Sequence, residues 1–114
     1  MKVIEAESNT VLLENLEIAN NPGARFLGLM GRKKLANNTG LLLSPCNSIH
    51  MFFMKFALDV VFLNKDGKVL KVIRNLKPWR ISPVVFGSKM VIEMPSGTIP
   101  ENLSLEDKTL SLVE

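Results

Sequence analysis

A chain of 114 residues has room for one domain with a continuous core and not for two. Hydrophobic residues at 46% and charged residues at 22% exclude a disordered tail or a fibrous repeat, and a single cysteine excludes an internal disulfide, so the fold does not depend on an oxidising compartment. The net charge of +3 is uneven, with −3 on residues 1–23, +10 on residues 24–90 and −4 on residues 91–114, which raises nucleic acid as a partner.

The opening run MKVIEAESN lacks the apolar stretch of a secretory signal, because Glu5 and Glu7 interrupt it. The most apolar stretch, Ile49 to Leu63, is broken by His50, Lys55 and Asp59 and is shorter than the roughly 20 residues a bilayer requires. A cytoplasmic protein with no membrane span is expected. Thr10 to Ile18 alternates loosely and reads as a strand, with Glu14 and Asn15 marking a turn inside it. NNPGARFLGLMGRK is the helix candidate, over residues 22–30: Asn21 caps it, Pro22 suits its first position and Gly31 closes it. Phe26, Leu27, Leu29 and Met30 form its apolar side, and Gly28 in its middle marks close packing.

Gly40 to Ser44 reads as a buried strand ended by Pro45. The stretch SPCNSIHMFFMKF, residues 44–56, reads as a central strand with His50, Phe52 and Met54 on one face and Ile49, Met51, Phe53 and Lys55 on the other. LDVVFLNKDGKVLKVIRNL is a hairpin whose turn, Asn64 to Gly67, uses Gly67 for a positive φ. Lys89 to Met94 is a further strand stopped by Pro95-Ser96-Gly97. Leu103 to Asp107 is a turn or a single helical turn, and Thr109 to Val113 is the last strand.

Cys46 and His50 are the only cysteine and histidine. On an extended strand they lie about 13 Å apart at about 3.3 Å per residue, too far for a thiolate–imidazole pair unless the chain turns after Pro45. Cys46, His50, Met51 and Met54 are also soft ligands for Cu(I), but Met filling an irregular core and Cys as a small buried apolar residue is the preferred reading. No HxH, CxxC or HExxH pair, Walker loop or dinucleotide fingerprint occurs, so no metal or cofactor is expected.

Asp59 and Glu93 sit in apolar runs, where an ionised group needs a partner or a backbone cap. Arg25, Arg32, Arg80 and Lys55 are the simplest partners, and an ion pair or turn cap is preferred over paired-carboxylate acid/base chemistry. Trp79, between Pro78 and Pro83, sits in a rigid loop that presents it with Arg80 to a partner, or else closes one end of the core. The acidic ends and basic middle read as strands pairing across a sheet. Scattered cations with one Trp and no Tyr make nucleic acid a minor reading.

These residues together resemble the domain of unknown function 192 family, an uncharacterised bacterial and archaeal family. The resemblance covers about Pro22 to Val113. It rests on Arg25, Gly28, Leu29, Met30 and Arg32, on Gly40, on Ser48 to Lys55, and on Asp59 before its apolar run. Asp66-Gly67, Pro78-Trp79-Arg80, Glu93 with Pro95 and Gly97, and an acid near Asp107 complete it. Ala57 stands where a Pro is common, and Met51 where Thr often follows the His. The resemblance implies a mainly antiparallel β sandwich or barrel-like fold with a short helix. It brings no activity, substrate or cofactor with it.

The expectation is therefore a mainly β, single-domain protein over residues 1–114, an antiparallel β sandwich or barrel-like fold with one short helix near residues 22–30. Its expected role is non-enzymatic binding of a small anionic ligand or a peptide, in a groove near the helix and the Phe52 to Asp59 segment. The expected contacts are Arg25, Arg32, His50, Lys55, Asp59, Trp79, Arg80 and Glu93, the positive groups suiting an anion. The alternatives are a hydrolase or acid/base enzyme using His50, Asp59 and Glu93, which must converge within hydrogen-bond reach, and accessory nucleic-acid binding through the basic middle, which must weaken steeply with salt.

Overall fold

The computed structural model describes residues 1–19 and 35–114. These form β1 (Lys2–Glu5), β2 (Thr10–Leu13), β3 (Asn15–Ala19), β4 (Thr39–Leu43), β5 (Leu58–Leu63), β6 (Val69–Leu76), β7 (Met90–Pro95) and β8 (Leu110–Val113). They make two open sheets, one of three strands in the order β2-β1-β8 and one of five in the order β3-β4-β7-β5-β6. The mainly antiparallel sandwich is thus the observed fold, without closure into a barrel, and β3 beside β4 is a parallel exception. The candidate helix at 22–30, with Arg25 and Arg32, lies outside the described residues.

Every position of β5 is buried, because both faces of the five-stranded sheet are covered. On one face Leu42, Val61, Leu63, Ile92 and Met94 pack with Val3, Leu13 and Leu110 of the small sheet. On the other, Leu41, Leu43, Leu58, Val60, Phe62 and Val91 pack with Ile49, Met51, Met54 and Val85 from loops. The alternation follows from side chains pointing to opposite faces at successive strand positions. At Gly40 a Cβ would lie 2.5 Å from Leu13 Cδ1 and 2.8 Å from the Glu93 carbonyl oxygen, so only glycine lets the small sheet approach this closely.

The hairpin of β5 and β6 forms as its turn residues require. Asn64 Oδ1 accepts from the amides of Asp66 at 2.9 Å and Lys68 at 3.0 Å, and Gly67 has φ 85°. Glu14 breaks the expected strand into β2 and β3, where the amides of Glu14 and Asn15 both donate to the Asn38 carbonyl at 3.0 and 2.9 Å. Strand β1 had no clear alternation and was not expected. Among the described residues no helix is long and apolar enough to cross a membrane.

One expectation is corrected. Ile49 to Lys55 is not a strand: pairing is reduced to one bridge between His50 and Ile81, and the chain turns where the Met54 amide donates to the Met51 carbonyl and Phe53 takes φ 61°. Ile49, Met51 and Met54 are buried while Phe52 and Phe53 are exposed, a spacing no strand produces. Large apolar residues at both parities imitate a strand buried on both faces, and a positive φ at Phe53 leaves no mark on the pattern. Without an extended backbone there, strand spacing does not set the separation of Cys46 and His50. The acidic ends divide: β1 and β8 pair with each other, while β3 pairs with β4 and β7 with β4 and β5 of the basic middle. Among the described residues opposite charges meet at Lys2–Glu14, Lys68–Asp107 and Lys108–Glu7, at 3.6, 3.7 and 2.9 Å. Such surface pairs contribute about 1 kcal/mol or less each.

Candidate binding face

Prolines 78 and 83 and Gly87 keep residues 77–89 out of any sheet ladder, so this segment runs as a strap beside residues 47–54. The Trp79 amide donates to the Met51 carbonyl and the Met51 amide to the Arg80 carbonyl, both at 2.7 Å. Further along, the amides of Ser82 and Val85 donate to the carbonyls of Ile49 and Asn47 at 2.9 and 2.8 Å. Ser82 Oγ accepts from the Ile49 amide at 2.9 Å, and Ser88 Oγ donates to the Cys46 carbonyl at 3.0 Å. Met51, Ser82 and Val85 are buried by this arrangement, whereas Phe52, Phe53, Trp79, Ile81, Val84 and Phe86 are exposed.

Four rings collect at one end. His50 stacks on Phe52 at 5.1 Å between centroids, Phe52 lies 6.1 Å from Trp79, and Phe53 meets Trp79 edge-on at 5.0 Å. Phe53 and Trp79 have φ of 61° and 68°, conformations that are strained for bulky side chains and are held here by the surrounding main-chain bonds. Lys55, Lys77, Arg80 and Lys89 are exposed on the same two segments, and residues 44–58 and 77–90 contain no acid. The structure therefore brings His50, Trp79 and Arg80 together, with Lys55 just past the turn.

Asp59 and Glu93 do not join them as a pair. In the β5–β7 register Asp59 is opposite Met94 and Val60 is opposite Glu93, so the two carboxylates point to opposite faces of the sheet. Asp59 caps the turn after β7 and the end of β6: its Oδ2 accepts from the amides of Gly97 and Ile99 at 3.0 and 3.1 Å, and its Oδ1 from Asn75 at 2.9 Å. It is a turn cap without an ion-pair partner among the described residues. Glu93 is on the loop-covered face, where burial pushes its carboxyl up to about 7. His50 Nδ1 accepts from the Phe52 amide at 3.3 Å, and Cys46 Sγ donates to the Ser48 carbonyl at 3.1 Å. Among the described residues no group of three His, Cys, Asp or Glu side chains is placed to hold a metal ion.

Sequence reasoning missed Ile81, Val84 and Phe86. Their signal was available: an apolar run cut by Pro83 and Gly87 cannot enter a ladder, so its side chains have nowhere to be buried. It also missed Arg74, whose guanidinium donates to the carbonyls of Ile99, Pro100 and Leu103 at 3.0, 3.2 and 2.6 Å and fixes the 99–103 loop. A separate cleft of about 370 Å³ opens between Val11, Asn37, Asn38 and Ser96 and has no charged lining.

The chain is 38% identical to a UPF0127 protein of Pyrococcus furiosus over 96 residues, 80% of this chain and 79% of that one. Its fold is similar to that of a crystallised protein of unknown function from Novosphingobium aromaticivorans, with a TM-score of 0.82 at 20% identity over 98% of this chain and 84% of that one. It is equally similar to a Sinorhizobium meliloti protein provisionally described as a transcription regulator, with a TM-score of 0.82 at 25% identity over 96% of this chain and 89% of the other. The family model for Uncharacterized ACR, the domain of unknown function 192, matches residues 3–110, and the chain belongs to that family.

Proposed function

We propose that the protein is a non-enzymatic binding module that takes an anionic ligand, a small anion or an acidic peptide, on the face formed by residues 46–56 and 77–89. The observation that carries this reading is the cluster of Phe52, Phe53 and Trp79, exposed and in mutual contact, beside Arg80 and Lys55 on segments without an acid. A cationic group next to exposed rings suits an anion attached to an apolar body. Strained φ at two exposed aromatic residues is a further support, since such strain collects at ligand-binding sites. His50, Lys55, Trp79 and Arg80 are the contacts in this reading, while Asp59 has a structural role as a cap.

The opposed faces of Asp59 and Glu93 weigh against the hydrolytic alternative, which needs converging groups. Exposed Ile81 and Val84 weigh against nucleic acid, because aliphatic side chains offer no stacking surface for a base. Trp79 is the only tryptophan, so its emission reports on the face. Titration with inorganic phosphate and with a peptide alternating Glu and Phe should change that emission saturably. The change should weaken with salt and largely disappear in Arg80→Ser. No response to either probe would refute the reading.

A further inference from the structure

We infer that this face seats the protein on the surface of an anionic lipid bilayer, with Phe53, Trp79, Ile81, Val84 and Phe86 entering the interface and Lys55, Lys77, Arg80 and Lys89 meeting the headgroup phosphates. The inference rests on the anion-binding reading above and specifies where the anion resides.

Exposure is concentrated here. Nine large hydrophobic side chains are exposed among the described residues, and six of them lie on residues 52–53 and 79–86, rising from 42% at Phe52 to 91% at Phe86. Scattered exposed apolar residues are ordinary, whereas a contiguous group with a polar rim marks an interaction surface. The strap cannot turn these groups inward, because Ser82 and Val85 already occupy its buried side and main-chain bonds to Asn47, Ile49 and Met51 fix it. The outward display is built into the backbone.

The composition of the group selects the partner. A base or sugar would use the rings and leave Ile81 and Val84 idle. A peptide can engage the ring cluster and Arg80, but it leaves Phe86, exposed at 91%, in water. A bilayer interface accepts aliphatic and aromatic groups alike, takes Trp at headgroup depth, and places an apolar face roughly 5–10 Å into the boundary. Charge agrees: four cations and no acid lie on residues 44–58 and 77–90, and each cation near an anionic surface adds to the attraction. The nearest acid along the chain, Asp59, is buried and saturated by amides. The attachment is interfacial and reversible, and it involves no spanning segment.

The test is flotation of the full chain with vesicles of phosphatidylcholine mixed with phosphatidylserine, beside vesicles of phosphatidylcholine alone, while Trp79 emission is followed. Co-flotation with the mixed vesicles and a blue shift of Trp79 are expected, with little of either on the neutral ones. Phe86→Ser should weaken partitioning about tenfold through lost apolar burial. Arg80→Ser should weaken it about fivefold through lost charge. All these side chains are exposed, so an unchanged thermal midpoint confirms that each variant is folded. Flotation insensitive to Phe86→Ser and Ile81→Ser would overturn the inference, because it would then be plain adsorption of a basic protein. Failure to bind mixed vesicles while phosphate or the acidic peptide still shifts Trp79 would overturn the inference and leave the anion-binding reading standing. Silence toward vesicles, phosphate and peptide together would sink both.

Discussion

The five-stranded sheet is covered by a second sheet on one face and by loops on the other, and the two covers treat polar and strained groups differently. Under the small sheet, Asp59 is buried yet saturated by three amides, and Val61, Leu63, Ile92 and Met94 pack into one apolar layer with the small sheet. Under the loops, Glu93 is buried with its carboxyl shifted by desolvation, Phe53 and Trp79 are held at positive φ, and Phe86 stands in solvent. On the small-sheet side positive φ falls on Asn9 and Asp107, which tolerate it, whereas on the loop side it falls on Phe53 and Trp79, which do not. Departures of this kind collect at functional sites in proteins generally, which supports the reading proposed above.

The comparison would be broken most severely at Asp59. Asp59→Ala leaves three main-chain donors without their acceptor beneath an otherwise regular face, and should lower the stability read from urea unfolding by about 3–5 kcal/mol. Asp59→Asn keeps one carbonyl oxygen and should lose roughly half as much. If Asp59→Ala unfolded at nearly the same urea concentration, the cap would not organise the turn after β7.

How much of this was legible beforehand divides along the same line. The strands of the sandwiched sheet announced themselves through apolar runs and turn residues: Gly67 marked the hairpin, and Pro95 with Gly97 the end of β7. Asp59 and Glu93 stood out as acids in apolar runs, although only the register of β5 against β7 reveals that they face apart. The loop-covered face was misread because residues 49–55 are apolar at both parities and Phe53 adopts a conformation that its chemistry does not advertise. Long-range bonds such as Ser82 Oγ to the Ile49 amide depend on two distant segments meeting, which no local pattern encodes. Arg25 and Arg32 lie outside the described residues, so their expected place at the site is neither supported nor opposed.

The next effect belongs to the loop-covered face and depends on pH. With the folded Glu93 carboxyl at about 7 against an ordinary 4.5, both states hold the proton below 4.5. Between the two values only the folded state keeps it, so stability falls as pH rises, by about 3 kcal/mol in total once pH exceeds 7. Glu93→Gln imitates the protonated acid and should flatten that decline. A wild-type stability that stayed level or rose from pH 5 to 7.5, with Glu93→Gln unchanged relative to it, would show that Glu93 ionises without penalty.

Returning to the sandwiched face, Gly40→Ala places a Cβ against Leu13 and the Glu93 carbonyl, a clash with main chain that should cost about 2 kcal/mol. Thermal unfolding should show a lowered midpoint, and an unchanged one would mean that the Leu13 side chain and the β4–β7 pairing both yield freely. Ser82→Ala on the loop side removes the acceptor of the buried Ile49 amide. Its expected penalty is smaller, about 1 kcal/mol, because one hydrogen bond is lost and no backbone is displaced.

The smallest stability effect should come from the exposed residues to which the proposed binding is assigned. Phe86 and Ile81 make little contact with the core at 91% and 66% exposure, so Phe86→Ser and Ile81→Ser should each shift stability by no more than about 0.5 kcal/mol. Removing apolar surface from water-exposed positions can even raise solubility, which concentration-dependent light scattering would register. A loss of several kcal/mol at Phe86 would mean that its ring is covered in solution, and the outward display on which the binding face depends would be false. Unchanged stability would place these side chains among groups held outside the core by the strap itself, since Ser82 and Val85 fill the positions through which they would otherwise be buried.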